Sequence, residues 1–243
     1  RKTMKFFLRR TILFILRAFY FVFSPFLNQK EIVVLMYHSI SDSGGFFSVD
    51  PLEFERQIRY LKSNFNTVSL GQISDFLARK RDLPSRSVAV TFDDGYEDFY
   101  KNAFPVLKEY GIPATIFIIA GESDRKELGN DYKLLSWKQM KEIGSSGQID
   151  IGSHGLTHKK LTRISMQEAE NEIAYSCVAI NENSGFRPTI FAYPKGSFND
   201  EIKILVEQTG YTGAVTAEQT LVLKNSDRYA IPRIQVDQSY SFF

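Results

Sequence analysis

The sequence predicts an α/β fold, a distorted (β/α) barrel of seven or eight parallel strands in a single domain. Short apolar runs alternate along the chain with segments whose apolar residues recur at helical spacing, and repeated strand-then-helix units form parallel sheets. Chemically useful side chains fall just after the apolar runs, and in a parallel barrel these strand ends share one rim. At 243 residues, of which 43% are hydrophobic and 24% charged, the chain can bury the core of one such barrel.

Eight apolar runs predict the strands. Each run is short, and the runs 32–37 and 114–119 are nearly continuous in apolar character, as expected for strands that are covered on both faces of a parallel sheet. In chain order the runs cover residues 32–37, 67–70, 88–92, 114–119, 149–152, 190–193, 214–216 and 231–236.

Six helices are predicted between these runs. Pro51 suits the first turn of a helix, Ser136 is a typical N-cap, and Gly111 is a typical residue after a helix C-terminus. Helical spacing of apolar residues supports the same assignments. The predicted segments follow Pro51, surround residues 73–77, and cover 99–110, 137–143, 165–183 and 200–208.

Residues 1–28 differ in character from the predicted domain, residues 29–243. A basic region that includes Arg9 and Arg10 precedes an apolar stretch that continues to Phe23, interrupted by Arg17. This order is typical of a signal peptide or an uncleaved membrane anchor. Because a charge within a spanning helix is unfavourable, a helix lying in the membrane interface and a core-packing helix remain alternatives. We expect targeting or membrane association, and a location in the cell envelope, secreted or anchored facing outside the cytoplasm.

Charge and cysteine content exclude some classes of protein. The formal net charge is +2, and no long basic stripe occurs outside the N-terminus, which argues against a dedicated nucleic-acid-binding protein. Cys177 is the single cysteine, so the chain has no partner for a disulfide within itself.

Two adjacent carboxylates, Asp93 and Asp94, follow the apolar run 88–92. An unpaired buried charge costs roughly several kcal/mol, so this pair requires a partner, and a metal ion is a general one. An Asx-type turn before Gly95 would explain one of these residues but not both. His154 and His158 follow the run 149–152, and a set of one carboxylate and two histidines suits Zn²⁺, with Fe²⁺, Co²⁺ or Ni²⁺ also compatible.

Three segments resemble the polysaccharide deacetylase (NodB-homology) family of carbohydrate esterases. They are residues 89–96, 153–158 and 191–196, and the likeness extends over about 32–236. It is closest to the branch that deacetylates extracellular poly-N-acetylglucosamine. The resemblance implies a metal-dependent N-deacetylase, a hydrolase of non-peptide carbon–nitrogen bonds, with an N-acetylated polysaccharide or oligosaccharide as substrate.

The resemblance also assigns roles to the motif residues. Asp93 stands at the position of the family's general base. Asp94, His154 and His158 stand at the positions of the metal ligands. The backbone amide of Lys195, after the motif proline, stands where the family has an oxyanion donor.

A general acid is also required, because an amide leaving group must be protonated. Most relatives use a histidine near the C-terminus, in a leucine-x-histidine motif, but no histidine follows His158 here. His38, after the first predicted strand, is therefore the candidate, because the first and last strands of a closed barrel are neighbours. The alternative is a structural histidine bonded to a loop carbonyl.

Four further residues are candidates for the site. Arg233 could replace the arginine with which many relatives orient the catalytic aspartate, since the third motif lacks it. Trp137, Tyr193 and Pro194 are predicted to contact substrate, with packing as the alternative for the two aromatic residues.

Other functions compatible with the sequence are a deacylase of another amide or of an O-acetyl ester, and a catalytically inactive glycan-binding module. A membrane-bound scaffold for exopolysaccharide synthesis could coexist with catalysis. An inactive module has no need to keep Asp93, Asp94, His154 and His158 together, because such a set is electrostatically unfavourable without a ligand.

Overall fold

A computed structural model describes residues 32–42, 45, 47–121 and 133–238 of the chain. The predicted N-terminal segment 1–28 lies outside the described residues. Within the described ranges, no helix is both long and apolar enough to cross a membrane.

Ten strands alternate with six α-helices in this part of the chain. The strands are β1 (Ile32–Tyr37), β2 (Ser39–Ile40), β3 (Ser48–Val49), β4 (Asn66–Thr67), β5 (Ser87–Phe92), β6 (Ala114–Ile118), β7 (Ile149–Ser153), β8 (Ile190–Ala192), β9 (Gly213–Val215) and β10 (Ile234–Gln235). The α-helices are α1 (Pro51–Asn64), α2 (Leu70–Leu77), α3 (Phe104–Tyr110), α4 (Trp137–Ser145), α5 (Met166–Ser184) and α6 (Asp200–Gln208).

Eight of these strands form one curled sheet, in which β10, β1, β5, β6, β7, β8 and β9 are neighbours in that order and β4 also pairs with β5. Each of these pairings is parallel. All six residues of β5 are buried, as expected for a strand covered on both faces. The carboxyl ends of the strands therefore meet at one rim.

The segment 231–235 joins the two edges of this sheet. The Ile231 carbonyl accepts from the Thr216 amide at 2.8 Å, just after β9, and the Ile231 amide donates to the Ala214 carbonyl at 2.8 Å. Three residues later, Ile234 in β10 pairs with Leu35 in β1. The predicted distorted (β/α) barrel of parallel strands is thus confirmed.

The last strand is shorter than the predicted range 231–236. Regular pairing is confined to β10, because Pro232 has no amide hydrogen to donate and the Arg233 amide donates to the Glu218 carbonyl at 3.0 Å. Residues 231–233 lead the chain from its contact with β9 to β10, which pairs with β1.

The predicted strand 67–70 is wrong beyond its first residue. Thr67 ends β4, Val68 and Ser69 lie outside regular structure, and α2 begins at Leu70 with Ser69 as its N-cap. The Ser69 hydroxyl accepts from the Gln72 amide at 3.2 Å while the Gln72 side chain accepts from the Ser69 amide at 2.9 Å. This capping box outweighs the apolar character of Val68 and Leu70.

The predicted helix 99–110 consists of two parts. It begins as a π-helix, Phe99–Ala103, and continues as α3. Pro105 lacks the amide hydrogen that an α-helix would direct to the carbonyl of Lys101, so the wider turn lies where that bond is missing.

Candidate active site

The rim at the carboxyl ends of the strands brings the predicted residues together. Asp94 Oδ1 lies 3.6 Å from His154 Nε2 and 3.6 Å from His158 Nε2. Asp93 Oδ2 lies 3.9 Å from the same His154 nitrogen. Side chains from the loops after β5 and β7, separated by about sixty positions, therefore form one cluster, as the parallel topology predicts.

Asp93 is held by a two-point ion pair. Arg233 Nη1 and Nη2 donate to the two Asp93 carboxylate oxygens, each at 2.7 Å, and both residues are buried. Arg233 Nε donates to the Thr216 carbonyl at 2.9 Å, and Nη1 also lies 3.2 Å from Thr91 Oγ1. This fork fixes the plane of the carboxylate.

The charge state of Asp93 follows from these neighbours. Burial by itself would raise its pKa, but Arg233 and His154 outweigh burial and hold the pKa of Asp93 well below its usual range. The carboxylate therefore stays ionised at neutral pH, which is the form that a general base requires.

Asp94 has one bonded and one unbonded oxygen. Tyr96 donates its hydroxyl hydrogen to Asp94 Oδ2 at 2.8 Å. Asp94 Oδ1 is buried and has no hydrogen-bond partner among the described residues, although two histidine nitrogens lie 3.6 Å away. A buried carboxylate oxygen is seldom left unpaired.

The donor set fits a metal ion. One carboxylate oxygen of Asp94 and ring nitrogens of His154 and His158 lie within 4.8 Å of one another. One oxygen and two nitrogens suit Zn²⁺ and related divalent ions. The unpaired Asp94 Oδ1 between the two rings is the observation that favours a cation at this position.

The two histidines direct ring nitrogens toward Asp94. His154 Nδ1 lies 2.8 Å from the Ala192 carbonyl oxygen, which accepts a hydrogen from it, so that Nε2 is the nitrogen that faces Asp94. Burial and the neighbouring His154 lower the pKa of His158 to about 4. Neutral imidazole is the form that binds metals.

Glu172, in α5, holds the loop that carries His158. Its buried carboxylate accepts from the backbone amides of Leu156 at 2.9 Å and Thr157 at 2.8 Å, and also from the Thr157 hydroxyl. Gly155 makes the turn at φ 79°, and a β-carbon at this position would lie 3.4 Å from Glu172 Oε2. Sequence analysis missed Glu172; the signal was an acidic residue on the apolar, buried face of a predicted helix.

His38 follows β1 and is partly buried. Its Nδ1 is buried without a hydrogen-bond partner in the described ranges, and its ring lies 5.1 Å from the Phe47 ring, centroid to centroid. Its electrostatic interaction with Asp93 is among the influences that lower the Asp93 pKa, so the two residues lie near each other. The predicted alternative, a ring nitrogen bonded to a loop carbonyl, is not seen for Nδ1.

Lys195 lies on the turn after β8. Its backbone is left-handed, with φ 57°, and its side chain is exposed. Gly196 follows with φ 64°, and a β-carbon there would lie 2.7 Å from that of Ala217, so the turn admits only glycine at this position. The charge of Lys195 contributes to the low pKa of His158, which puts this turn beside the histidine loop.

The predicted sugar contact of Tyr193 does not agree with its position. Tyr193 is 0% exposed, its ring stacks on Phe198 at 4.9 Å, and its hydroxyl donates to the Tyr229 carbonyl at 2.9 Å. No ring face is therefore available to a sugar, and Tyr193 packs in the core. Pro194 is also buried and packs against Gly155 of the histidine loop.

Trp137 is partly buried at the first position of α4 and packs against the core. Just before it, the Leu135 amide donates to the Gly95 carbonyl at 2.9 Å, and the Glu97 amide donates to the Lys133 carbonyl at 2.7 Å. The segment leading into α4 therefore lies along the loop that carries Asp94. Trp137 directly follows this segment.

Comparisons with known proteins agree with this geometry. Residues 80–214 match the family model for polysaccharide deacetylase. The chain is 36% identical over 215 residues to YxkH of Bacillus subtilis (strain 168), a candidate polysaccharide deacetylase, covering 88% of this chain and 74% of that protein. It is 32% identical over 202 residues to poly-beta-1,6-N-acetyl-D-glucosamine N-deacetylase of Staphylococcus aureus (strain MSSA476), covering 78% of this chain and 68% of that protein.

Solved structures have the same fold. IcaB from Ammonifex degensii superposes with a TM-score of 0.79 at 29% identity, covering 86% of this chain and 93% of that one. Streptococcus pyogenes deacetylase PplD, in complex with acetate, superposes with a TM-score of 0.76 at 24% identity, covering 86% and 94% respectively.

Proposed function

The chain belongs to the polysaccharide deacetylase family, and from this membership we propose that it is a metal-dependent N-deacetylase. Its substrate would be the N-acetylglucosamine residues of a cell-surface or extracellular polysaccharide. The single observation that carries the proposal is Asp94 Oδ1, which lies 3.6 Å from His154 Nε2 and His158 Nε2 and has no hydrogen-bond partner among the described residues, with the ionised Asp93 beside it.

The choice of poly-N-acetylglucosamine is supported by relatives. The Staphylococcus aureus protein named for that polymer is 32% identical over 78% of this chain. The basic and apolar character of residues 1–28 supports a location in the cell envelope, with membrane association as part of the same proposal.

Asp94, His154 and His158 would hold the divalent ion. Zn²⁺ fits this donor set best, and Co²⁺, Ni²⁺ or Fe²⁺ would fit it as well. When bound, such an ion lowers the pKa of water and polarises the acetyl carbonyl group.

Asp93 acts as the general base. Its carboxylate takes a proton from the attacking water while the water oxygen forms a bond to the acetyl carbon. Arg233 holds the carboxylate in one orientation through two 2.7 Å hydrogen bonds and keeps it ionised before the reaction. Arg233 is thus a positioning residue for Asp93.

Lys195 and His38 act on the other atoms of the amide. The Lys195 backbone amide donates a hydrogen bond to the developing oxyanion. His38 then gives a proton to the nitrogen as the carbon–nitrogen bond breaks, so that acetate and a free amine leave. The left-handed turn at Lys195 and the interaction of His38 with Asp93 support these assignments.

The same groups would also hydrolyse an O-acetyl ester or another amide, so a different deacylase is the alternative function. A glycan-binding module without activity is less consistent with the site, because Asp93 is buried in an ion pair that binding alone does not need. Trp137, by its position near the Asp94 loop, remains a candidate for substrate contact.

The experiment measures acetate release from N-acetylglucosamine oligomers and from peptidoglycan, with chelator and then with added Zn²⁺. Release should disappear with chelator and return with Zn²⁺. Asp94→Asn should remove both release and bound metal, whereas Asp75→Asn, an exposed aspartate on α2, should change neither. No metal-dependent release from any substrate would favour the binding module.

His38 has its own test. His38→Ala should retain metal and lose most turnover, because the amine would leave unprotonated. Turnover close to that of the unmodified protein, with metal still bound, would remove His38 from the proposal.

A further inference from the structure

An exposed aromatic ring lies beside the proposed general acid. Phe47 is 47% exposed, and its ring centroid lies 5.1 Å from that of His38, with an angle of 31° between the planes. A large apolar side chain exposed next to an active site presents a surface that a ligand can cover.

The backbone explains why the two rings are neighbours. β2 and β3 form a parallel ladder in which Ser39 pairs with Ser48, and both serines are buried. His38 and Phe47 directly precede these paired serines, so the ladder brings them to its same end, where their ring centroids lie 5.1 Å apart.

Hydrogen bonds hold this ladder in place. The Ser39 hydroxyl donates to Asp98 Oδ2 at 2.5 Å, and the Ser48 hydroxyl donates to that of Ser39 at 3.3 Å. The Ser41 amide donates to the Val49 carbonyl at 2.9 Å. These bonds hold the residues that directly follow His38 and Phe47 in register.

We propose that Phe47 is a carbohydrate-binding residue whose ring packs against a pyranose ring of the polysaccharide, at or next to the sugar whose acetamido group is hydrolysed. The proposal rests on the deacetylase function proposed above. A pyranose has an apolar face of C–H groups that matches an aromatic ring. A sugar that presents its nitrogen to His38 must lie within a few ångströms of Phe47, because the two rings are in contact.

This residue takes the role that sequence analysis gave to Tyr193. Tyr193 is fully buried, whereas about half of Phe47 is accessible. Replacement of Phe47 should therefore weaken substrate binding without removing any group that transfers a proton.

The experiment compares variants of the full-length chain on an N-acetylglucosamine pentamer, by acetate release and by direct binding to the metal-loaded protein. For Phe47→Ala we expect KM and the dissociation constant for the pentamer to rise by about tenfold, with kcat changed by less than about twofold. Phe47→Trp should restore both values. Tyr60→Ala, which removes a 45% exposed aromatic ring on α1, is the matched control and should change neither.

The outcomes distinguish the inference from the proposed function. If the unmodified protein binds the pentamer through Phe47 but releases no acetate, the deacetylase function fails and the sugar contact stands. If it releases acetate and Phe47→Ala leaves KM and binding unchanged, the inference is overturned. Loss of binding to lipid vesicles in Phe47→Ala, with unchanged KM, would overturn it in favour of a membrane contact.

Discussion

The guanidinium of Arg233 donates to both carboxylate oxygens of Asp93 at 2.7 Å, across 140 residues of sequence. Asp93 follows β5, two strands from β10, and Arg233 lies in the closing segment between Ile231, which bonds to β9, and β10. The closure of the barrel and the orientation of the proposed base are therefore one structural feature.

Arg233→Gln should destabilise the fold and reduce activity together. The substitution leaves the buried Asp93 carboxylate without its charge partner, and loss of one member of a buried pair costs about 3–5 kcal/mol. Urea unfolding measures the free energy, and acetate release measures kcat. Arg228→Gln breaks a partly exposed pair with Glu207 and should cost less than about 1 kcal/mol. Equal effects of the two variants would contradict a special role for the Asp93 pair.

Tyr96→Phe should weaken metal binding. The Tyr96 hydroxyl donates a hydrogen bond to Asp94 Oδ2 and so orients the carboxylate with Oδ1 toward the two histidines. Loss of such a supporting hydrogen bond typically lowers metal affinity by about 10–100-fold. Competition with a chromophoric chelator measures the affinity independently of turnover.

Tyr100→Phe is the control for this substitution. Tyr100 follows Tyr96 by four residues, and its hydroxyl donates at 2.9 Å to Glu142, which is outside the metal-ligand set. If the two variants bind metal with equal affinity, the Tyr96 hydroxyl does not position Asp94.

Glu172→Gln should loosen the loop that carries His158. The carboxylate accepts three hydrogen bonds from Leu156 and Thr157, and an amide side chain can accept with only one of its two atoms. We expect a loss of about 1–3 kcal/mol in unfolding free energy, because a buried donor is left unpaired, together with weaker metal binding. Glu182→Gln, on the exposed face of the same helix, should be close to neutral; comparable losses in both variants would refute the assignment.

Glu97 should make stability depend on pH. Burial by itself would raise its pKa, but hydrogen bonds from Lys101 and Lys133 outweigh burial and lower the pKa of Glu97 to about 2. A folded-state pKa below the unfolded value stabilises the protein above the unfolded pKa of about 4.3, and this contribution is lost as pH falls toward 2.

The test compares Glu97→Gln with the unmodified protein by urea unfolding at several pH values. At pH 7 the variant should be less stable by about 1 kcal/mol, since both lysines are exposed and solvent weakens their pairs. The difference should shrink below pH 4. A difference that stays constant down to pH 3 would mean that the charge of Glu97 contributes nothing.

Much of the fold was predictable because its signals are local. Apolar runs and helical spacing predict most strands and helices, and α6 has the predicted bounds. The exceptions also have local causes. The capping box at Ser69 depends on side-chain hydrogen bonds, and Pro232 lacks the amide hydrogen that a strand would donate, and neither property is visible in a hydrophobicity pattern.

The motifs identified the residues that meet at the rim. Asp93, Asp94, His154 and His158 each follow a predicted strand, and in a parallel barrel that position alone brings them to one end of the sheet. Their convergence was therefore expected before any distance was known.

The sequence by itself determined the family, the order of strands and helices and the four residues of the charged cluster, because motifs and periodicity are written in neighbouring positions. The tertiary structure decided that Arg233, a candidate from the sequence, pairs with Asp93. It alone decided that Glu172 supports the histidine loop, that Tyr193 is buried, and that Phe47 lies beside His38. Each of these contacts depends on barrel closure, strand register or helix packing. Most of these contacts join distant parts of the chain, and the meeting of His38 with Phe47 depends on the pairing of β2 with β3, so a local pattern of residues does not encode them.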